Sequence, residues 1–366
     1  MNESKNYFIT GVTGTLGKEL IRELLEKTPH RLFVLIRGKK NLSPKERLKK
    51  ILSLSGLDHC LGSRIEAIDG DITFPGFGLQ PEIRERLTKE TDQFFHVAAL
   101  TALNGSQEEC FNINLGGTKE ALALAKSFRE KGKLKRFFYF STAYVAGSRQ
   151  TYCSHEEGLP AHPAHANFYE ASKYEAEKSV RAAMMEGLPA TIFRPSIVVG
   201  HSETGATSEF NVIYPFLKLF AHRILTRLPS RRENSFNIVP IDFVIRASLE
   251  IADREDSVGK AYHLVTQDPP SIGLLMDVAH AEYPQLPPVE LIDPDDFDPA
   301  VMSGQEKFVF DMLAPYLGYL NDNLTFDTSH TEAALAGTGI SLPKTDAAFL
   351  KRLLAYAVDA GYLVVS

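Results

Sequence analysis

Three glycines at three-residue spacing, Gly11, Gly14 and Gly17, separate a short apolar run from a helical pattern near the start of the chain. Tyr7 to Thr10 reads as a buried strand, and Leu16, Leu20, Ile21, Leu24 and Leu25 recur on one helix face. Strand, glycine turn and helix in that order constrain the fold more than any other stretch, because together they form a phosphate-binding corner. Gly11 allows a tight turn, Gly14 lets a pyrophosphate approach the backbone, and Gly17 lets the helix lie close to the strand. The N–H groups at the helix start, with Thr13, Thr15 and Leu16 around them, then face the phosphates. A glycine turn without a ligand fits the same spacing, which is GxxGxxG rather than GxGxxG, so the rest of the chain must decide.

Strands and helical patterns alternate through the first two-thirds, which predicts a parallel, doubly wound sheet. Arg31 to Ile36 is the second strand. A site for NAD places an acid at its end to take the ribose 2′-OH. Here Arg37 follows, then Lys39, Lys40 and Arg47. That swap favours a 2′-phosphate, hence NADPH, with Arg37 its best partner and Arg47 the second. The third strand, Arg64 to Ile68, ends in Asp69-Gly70-Asp71-Ile72, where Asp71, with Ile72 beside it, is placed to accept from an adenine amino group. The fourth, Phe94 to Val97, runs into Ala98 and Ala99, small enough for a cofactor to pass over them. A helix is expected from Asn112 to Lys126, and a fifth strand from Phe137 to Phe140 stops at Ser141-Thr142. A helix from about Tyr169 to Met185 and the strand Ala190 to Phe193 lead to Arg194-Pro195-Ser196. Asn237 to Ile241 and Tyr262 to Val265 read as further strands. The fold class is therefore α/β, a Rossmann-type doubly wound parallel sheet with a smaller, mainly helical C-terminal substrate lobe. Residues 1–200 form the NADP-binding domain, to which 236–265 returns; 201–235 and 266–366 form the lobe.

Composition narrows the partners. The 366 residues carry a net charge of −6, which gives no basic footprint for nucleic acid. Cys60, Cys110 and Cys153 are odd in number and widely spaced, which fits a reducing cytoplasm rather than a disulfide framework. The N-terminus shows no signal or transit segment. No stretch is long and apolar enough for a membrane span, and a peripheral membrane contact stays open. The loop 148–167 holds Cys153, His155, Glu156, Glu157, His162 and His165, but the spacing matches no metal pattern, and none is assigned. Arg223, Arg227, Arg231 and Arg232 form a cationic cluster that suits either a phosphate-bearing substrate arm or a solvated helix end. The apolar run Val212 to Leu225 reads as core packing, with an acyl site as the alternative.

Two YxxxK pairs compete for chemistry, Tyr169 with Lys173 and Tyr174 with Lys178. Four residues place each pair on one helix face, where an ammonium can lower a tyrosine pKa. Five residues turn a helix by about 500°, so the two tyrosines point about 140° apart and only one faces a cofactor.

The stretches TGVTGTLG, GDIT, HVAA, NLGGT, FSTAYVAG, YEASK and FRPS occur in this order, followed by VPIDFV and YHLV. The series resembles the extended short-chain dehydrogenases/reductases. IRG after the second strand, FGL at Phe77-Gly78-Leu79, STAYVAG and GHSETG make it most similar to the thioester reductase and fatty acyl-CoA reductase group. The resemblance implies Tyr169, Ser172 and Lys173 as the active pair with its serine, and leaves Tyr174 and Lys178 as helix surface. It implies Thr142 as the catalytic hydroxyl beside Ser141, Asn114 as support for the lysine through water, and Pro195 and Ser196 near the nicotinamide. Many members have Asn before the Ala pair, where this chain has His96-Val97. PYLGYLNDNLTFD is faintly similar to the tail lobe of fatty acyl reductases.

The resemblance implies an NADPH-dependent reductase of an acyl thioester, acyl-CoA or carrier-bound, giving an aldehyde and on a second reduction an alcohol. Tyr169 would give the proton, its pKa lowered by Lys173 and the cofactor ring. Two other readings remain: a ketone or aldehyde reductase or sugar-nucleotide epimerase or dehydratase of the same fold, and a dinucleotide binder without catalysis.

Overall fold

Seven strands build one sheet: β1 (Asn6–Thr10), β2 (Arg31–Ile36), β3 (Ile65–Asp69), β4 (Gln93–His96), β5 (Arg136–Phe140), β6 (Ala190–Pro195) and β7 (Ala261–Leu264). The computed structural model describes residues 4–147, 153–224, 226–298, 303–321 and 324–365. Residues 148–152 of the His-rich loop, Leu225, and Asp322 and Asn323 of the PYLGYLNDNLTFD stretch lie outside them. Strand order is β3-β2-β1-β4-β5-β6-β7, and every pairing is parallel. The order reverses between β1 and β4, the switch point where open α/β sheets bind ligands.

The helices are α1 (Thr15–Lys27), α2 (Pro44–Ser53), α3 (Pro81–Glu90), α4 (Gly117–Lys131), α5 (Phe168–Met185), α6 (Ile213–Ala221), α7 (Ile241–Asp253), α8 (Ile272–Glu282), α9 (Gly304–Leu317), α10 (Ser329–Leu335) and α11 (Ala347–Asp359). Apolar residues fill both faces of the strands, as a parallel sheet covered on two sides requires. On one face Phe33, Phe8, Phe94 and Phe137 lie in register across four strands and pack against Leu87 of α3, Phe128 of α4 and Val180 of α5. On the other, Ile9, Val34, Phe95 and Phe138 meet Leu20 and Leu24 of α1, Leu48 of α2 and Val244 of α7. A third core joins Phe216 and Leu217 of α6, Leu275 of α8 and Phe349 and Leu353 of α11. The run from Val212 thus packs as core. Ala334 and Leu335 of α10 return to the sheet and join the core under α1 and α7.

Three sequence expectations change. Residues 237–241 do not enter the large sheet: Ile238–Pro240 pairs with Ile197–Val199 in a separate two-stranded parallel ribbon. The helix expected over 112–126 is present but starts earlier, at Gln107–Cys110, and widens into a π-type segment at Phe111–Gly116 before α4. The Gly116-Gly117 pair is a poor helix former, and the Asn114 side chain is drawn out to partners outside the helix. Tyr174 is not helix surface. Its ring is buried and its hydroxyl donates to the Pro160 carbonyl at 2.7 Å, while Lys178 does lie exposed. Among the described residues no helix is long and apolar enough to cross a membrane.

Candidate active site

The glycine turn is fixed by close backbone packing. Gly11 takes a φ of +79°, and a Cβ there would meet the Ala98 amide nitrogen at 2.5 Å. A Cβ on Gly17 would collide with the Gly11 carbonyl, so both positions exclude a side chain. Gly14 differs: a Cβ on it meets only the Gly11 oxygen, at 3.5 Å. Gly14 N–H closes the turn on Gly11 O at 3.0 Å, and Lys18 N–H is the first to bond back along α1, to Gly14 O. The amides of Thr15, Leu16 and Gly17 therefore head the helix without an i−4 partner. No acid occupies the first turn of α1, so its positive end is left for an anion. Thr13, Thr15 and Leu16 are half-buried around it. Ser208, from the first loop of the lobe, reaches the Thr15 hydroxyl at 3.2 Å.

At the tips of β2 and β3, Arg37 and Asp71 come together. Arg37 Nη1 donates to Asp71 Oδ2 at 3.0 Å. Asp71 Oδ1 accepts from the Thr73 amide and hydroxyl. These hydrogen bonds hold the carboxyl below its usual range although burial opposes them. Arg47 donates to the Arg37 carbonyl at 2.6 Å, which fixes the backbone beneath Arg37 rather than adding a second free guanidinium. Ile72 packs against Gly117, where a Cβ would come within 2.8 Å of it. Ala98 and Ala99 stay half-buried past β4, and the Ala98 amide donates to Thr10 Oγ1 at 3.3 Å. His96, the departure from the family pattern, bonds to Thr10 at 2.8 Å and stacks on Tyr139. Burial drives its pKa to about 3, so it is a neutral core residue.

The hydroxyl site lies at the ends of β5 and β6. Tyr169 lies beside Thr142, whose hydroxyl pulls the phenol pKa down, and Thr142 Oγ1 donates to Pro195 O at 3.4 Å. Lys173 Nζ donates to Phe140 O at 2.6 Å and sits over the Tyr139 ring. The expected lowering of the Tyr169 pKa is reversed: burial pushes it up to about 12, against the pull of Thr142. Burial also lowers Lys173 to about 7, so its charge is a weak lever on the phenol. Asn114 does not touch Lys173. Its Oδ1 accepts from Leu100 N and its Nδ2 donates to Leu100 O and to Ser172 Oγ, which pins the strand β4 exit to α5. Ser196 Oγ is buried at the end of β6 and has no hydrogen-bond partner among the described residues.

An open glycine turn, a helix start without an acid and an orphaned hydroxyl at the strand ends fit a nicotinamide dinucleotide. Thr15 to Gly17 would meet the pyrophosphate, Arg37 and Asp71 the adenosine, and Ser196 the nicotinamide amide.

Sequence reasoning missed the buried polar ties around this site. Arg194 and Glu177, both with wholly buried side chains, pair at 2.6 Å, and Arg194 also holds the carbonyls of His155 and Gly158. Glu156, read as one residue of a His-rich loop, is buried and accepts from His263 N, His330 N and Thr331 Oγ1. Among the described residues no three His, Cys, Asp or Glu are grouped to hold a metal. The cationic cluster is largely neutralised: Arg231 pairs with Asp293 and Asp295, Arg232 with Asp277 and Arg227 with Glu290.

Residues 9–248 match the family described as Male sterility protein. The L-2-aminoadipate reductase large subunit of Penicillium chrysogenum is 29% identical over 279 residues, 72% of this chain and 19% of that protein. Fatty acyl-CoA reductase 1 of Mus musculus is 32% identical over 156 residues, 40% of this chain and 30% of that protein. The chain spans about half the length, or less, of the curated relatives it matches. Among solved structures, the terminal R domain from the myxalamid PKS-NRPS biosynthetic pathway superposes with a TM-score of 0.85 at 28% identity. That match covers 100% of this chain and 93% of the R domain.

Proposed function

The chain belongs to the Male sterility protein family, in the thioester reductase group of the extended short-chain dehydrogenases/reductases, and we propose that it reduces an acyl thioester to an aldehyde with NADPH. The observation that supports this reading is the placing of Tyr169 beside Thr142 at the C-terminal ends of the strands, where the open glycine turn also lies. Mus musculus Fatty acyl-CoA reductase 1 and the myxalamid R domain point to the substrate class, a thioester of coenzyme A or of a carrier. Arg37, in the place of the ribose-binding acid, favours NADPH over NADH.

The bound cofactor supplies a hydride to the thioester carbonyl carbon. The hydroxyls of Thr142 and Tyr169 donate to the oxygen as negative charge grows there. Tyr169, raised to about 12, holds its proton until that charge develops and then passes it on. The resulting thiohemiacetal loses its thiol and leaves the aldehyde; a second reduction gives the alcohol. Lys173, seated on Phe140 O, has further donors for a ribose hydroxyl. Asn114 and Ser172 keep α5 in register with β4. In this reading residues 1–200 with 236–265 hold the cofactor, and 201–235 with 266–366 cover the acyl group. The three free cysteines agree with a cytoplasmic setting.

Incubation with NADPH and a panel of acyl-CoA and carrier-bound acyl thioesters tests the proposal. At least one should release thiol in step with NADPH oxidation. Release of no thiol from any of them overturns it.

A further inference from the structure

The first turn of α5 carries a buried acid next to the tyrosine. Glu170 follows Tyr169 and is 3% exposed. Its Oε2 accepts from the Ala166 amide at 2.9 Å, and its amide donates to Asn167 Oδ1 at 2.9 Å, so it helps cap the helix. Within the cap, Oε1 takes only a long bond from Asn167 Nδ2, at 3.5 Å. That oxygen accepts from Tyr319 Oη at 2.5 Å, a hydroxyl 149 residues away in the C-terminal lobe. Tyr319 Oη in turn accepts from Asn167 Nδ2 at 3.0 Å. The Tyr319 ring is buried edge-on to Tyr144, centroids 4.6 Å apart, two residues past Thr142. The groups that meet Glu170 are thus Ala166 and Asn167 from the preceding loop, Tyr319 with Tyr144 behind it, and Tyr169 on its own helix. Among the described residues no cation pairs with it.

We propose that Glu170 and Tyr319 are a positioning pair: they latch the C-terminal lobe to the first turn of the catalytic helix, and so set how Tyr169 is held when the lobe is seated. This rests on Tyr169 being the proton donor. A carboxyl that only capped a helix would sit in water and need no tyrosine from a distant lobe. Here the Glu170 carboxyl is held once by the Ala166 amide ahead of the helix and once by Tyr319 of the lobe, so loosening the lobe loosens the turn that carries Tyr169. The charge matters as well. A carboxylate beside the phenol favours its protonated form, and Glu170 raises Tyr169 in this sense. Burial raises Glu170 itself, while Tyr319, Ala166 and Asn167 oppose that rise. Neither residue touches the glycine turn, so cofactor binding should be spared.

The full chain with Tyr319→Phe or Glu170→Gln tests the pair by two readouts. Hydrogen exchange on the ligand-free protein should speed up in the first turn of α5 and in residues 316–321 for Tyr319→Phe, with β1, β4 and β5 still protected. In kinetics, Tyr319→Phe should raise KM for the acyl substrate about tenfold, with the NADPH dissociation constant changed less than about twofold. Glu170→Gln removes a negative charge beside the phenol, makes it more acidic and should lower the pH at which the alkaline side of the kcat profile falls. The proposal is overturned if α5 exchanges as in the parent protein. It is equally overturned if kcat falls by one factor at every pH in step with a lower melting temperature. Faster exchange in a chain that reduces no thioester supports the latch and overturns only the proposed substrate.

Discussion

Tyr169 shows how much one residue depends on its surroundings. Four residues from Lys173 it was expected to be acidified, yet burial raises it to about 12. Loss of its hydroxyl alone should therefore separate chemistry from binding. Tyr169→Phe should lower kcat by roughly a hundredfold or more, while a fluorescence titration finds NADPH bound as before. Lys173 titrates at about 7 because burial disfavours its charge. It is an ammonium below that pH and neutral above it. A step that uses the ammonium is lost as pH rises, so kcat/KM should fall through about pH 7, and a flat profile there would count against a charged Lys173. Arg37 tests the cofactor: Arg37→Ala should weaken NADPH binding by roughly tenfold, about 1.4 kcal/mol, and leave NADH within about twofold. Equal losses for both would remove the 2′-phosphate from the argument.

At the level of elements, α5 is held in its first turn and at its middle by buried polar groups. Its middle carries Glu177, whose carboxylate is paired with Arg194 of β6 and bonded to Arg181 one turn on. Burial alone would raise Glu177, but the Arg194 charge and hydrogen bonds outweigh it and hold the group at about 2. A folded-state pKa below the unfolded one gives stability that is full above about pH 4.5 and is lost as pH falls toward 2. Acid unfolding should be steep in that window. Glu177→Gln leaves Arg194 buried without its counter-charge and should cost about 3–5 kcal/mol at neutral pH by urea denaturation. A cost below about 1 kcal/mol would mean that the pair is not closed in solution.

On the scale of the whole molecule, the lobe is tied to the cofactor side of the sheet both through shared core and through individual polar contacts. Ser208 touches Thr15, Tyr319 touches Glu170, and Thr325–Phe326 pairs with Cys153–Ser154. The arginines once suited to a substrate phosphate instead tie the lobe to itself, Arg231 to Asp293 and Asp295 above all. Arg231→Ala should thus change KM for an acyl-CoA by less than about twofold while it lowers the melting temperature. A tenfold rise in KM at unchanged stability would restore the phosphate-binding role.

The sequence by itself determined the large sheet and its cofactor corner, because both rest on local signals. Gly11 and Gly17 are demanded by backbone contacts within one strand–turn–helix unit, and the alternation of apolar runs names β1 to β7 almost to the residue. Arg37 and Asp71 stood out for the same reason, since each follows the end of a recognisable strand. Tertiary structure alone decided what those residues do to one another. Arg37 meets Asp71, Asn114 binds Leu100 and Ser172, and Tyr174 turns inward to Pro160. The partners of Glu156, Glu170 and Arg194 left no signal, because a buried polar group is specified by groups up to 175 residues away. Periodicity records which face of an element is covered; it carries no record of which distant hydroxyl or amide satisfies a buried charge.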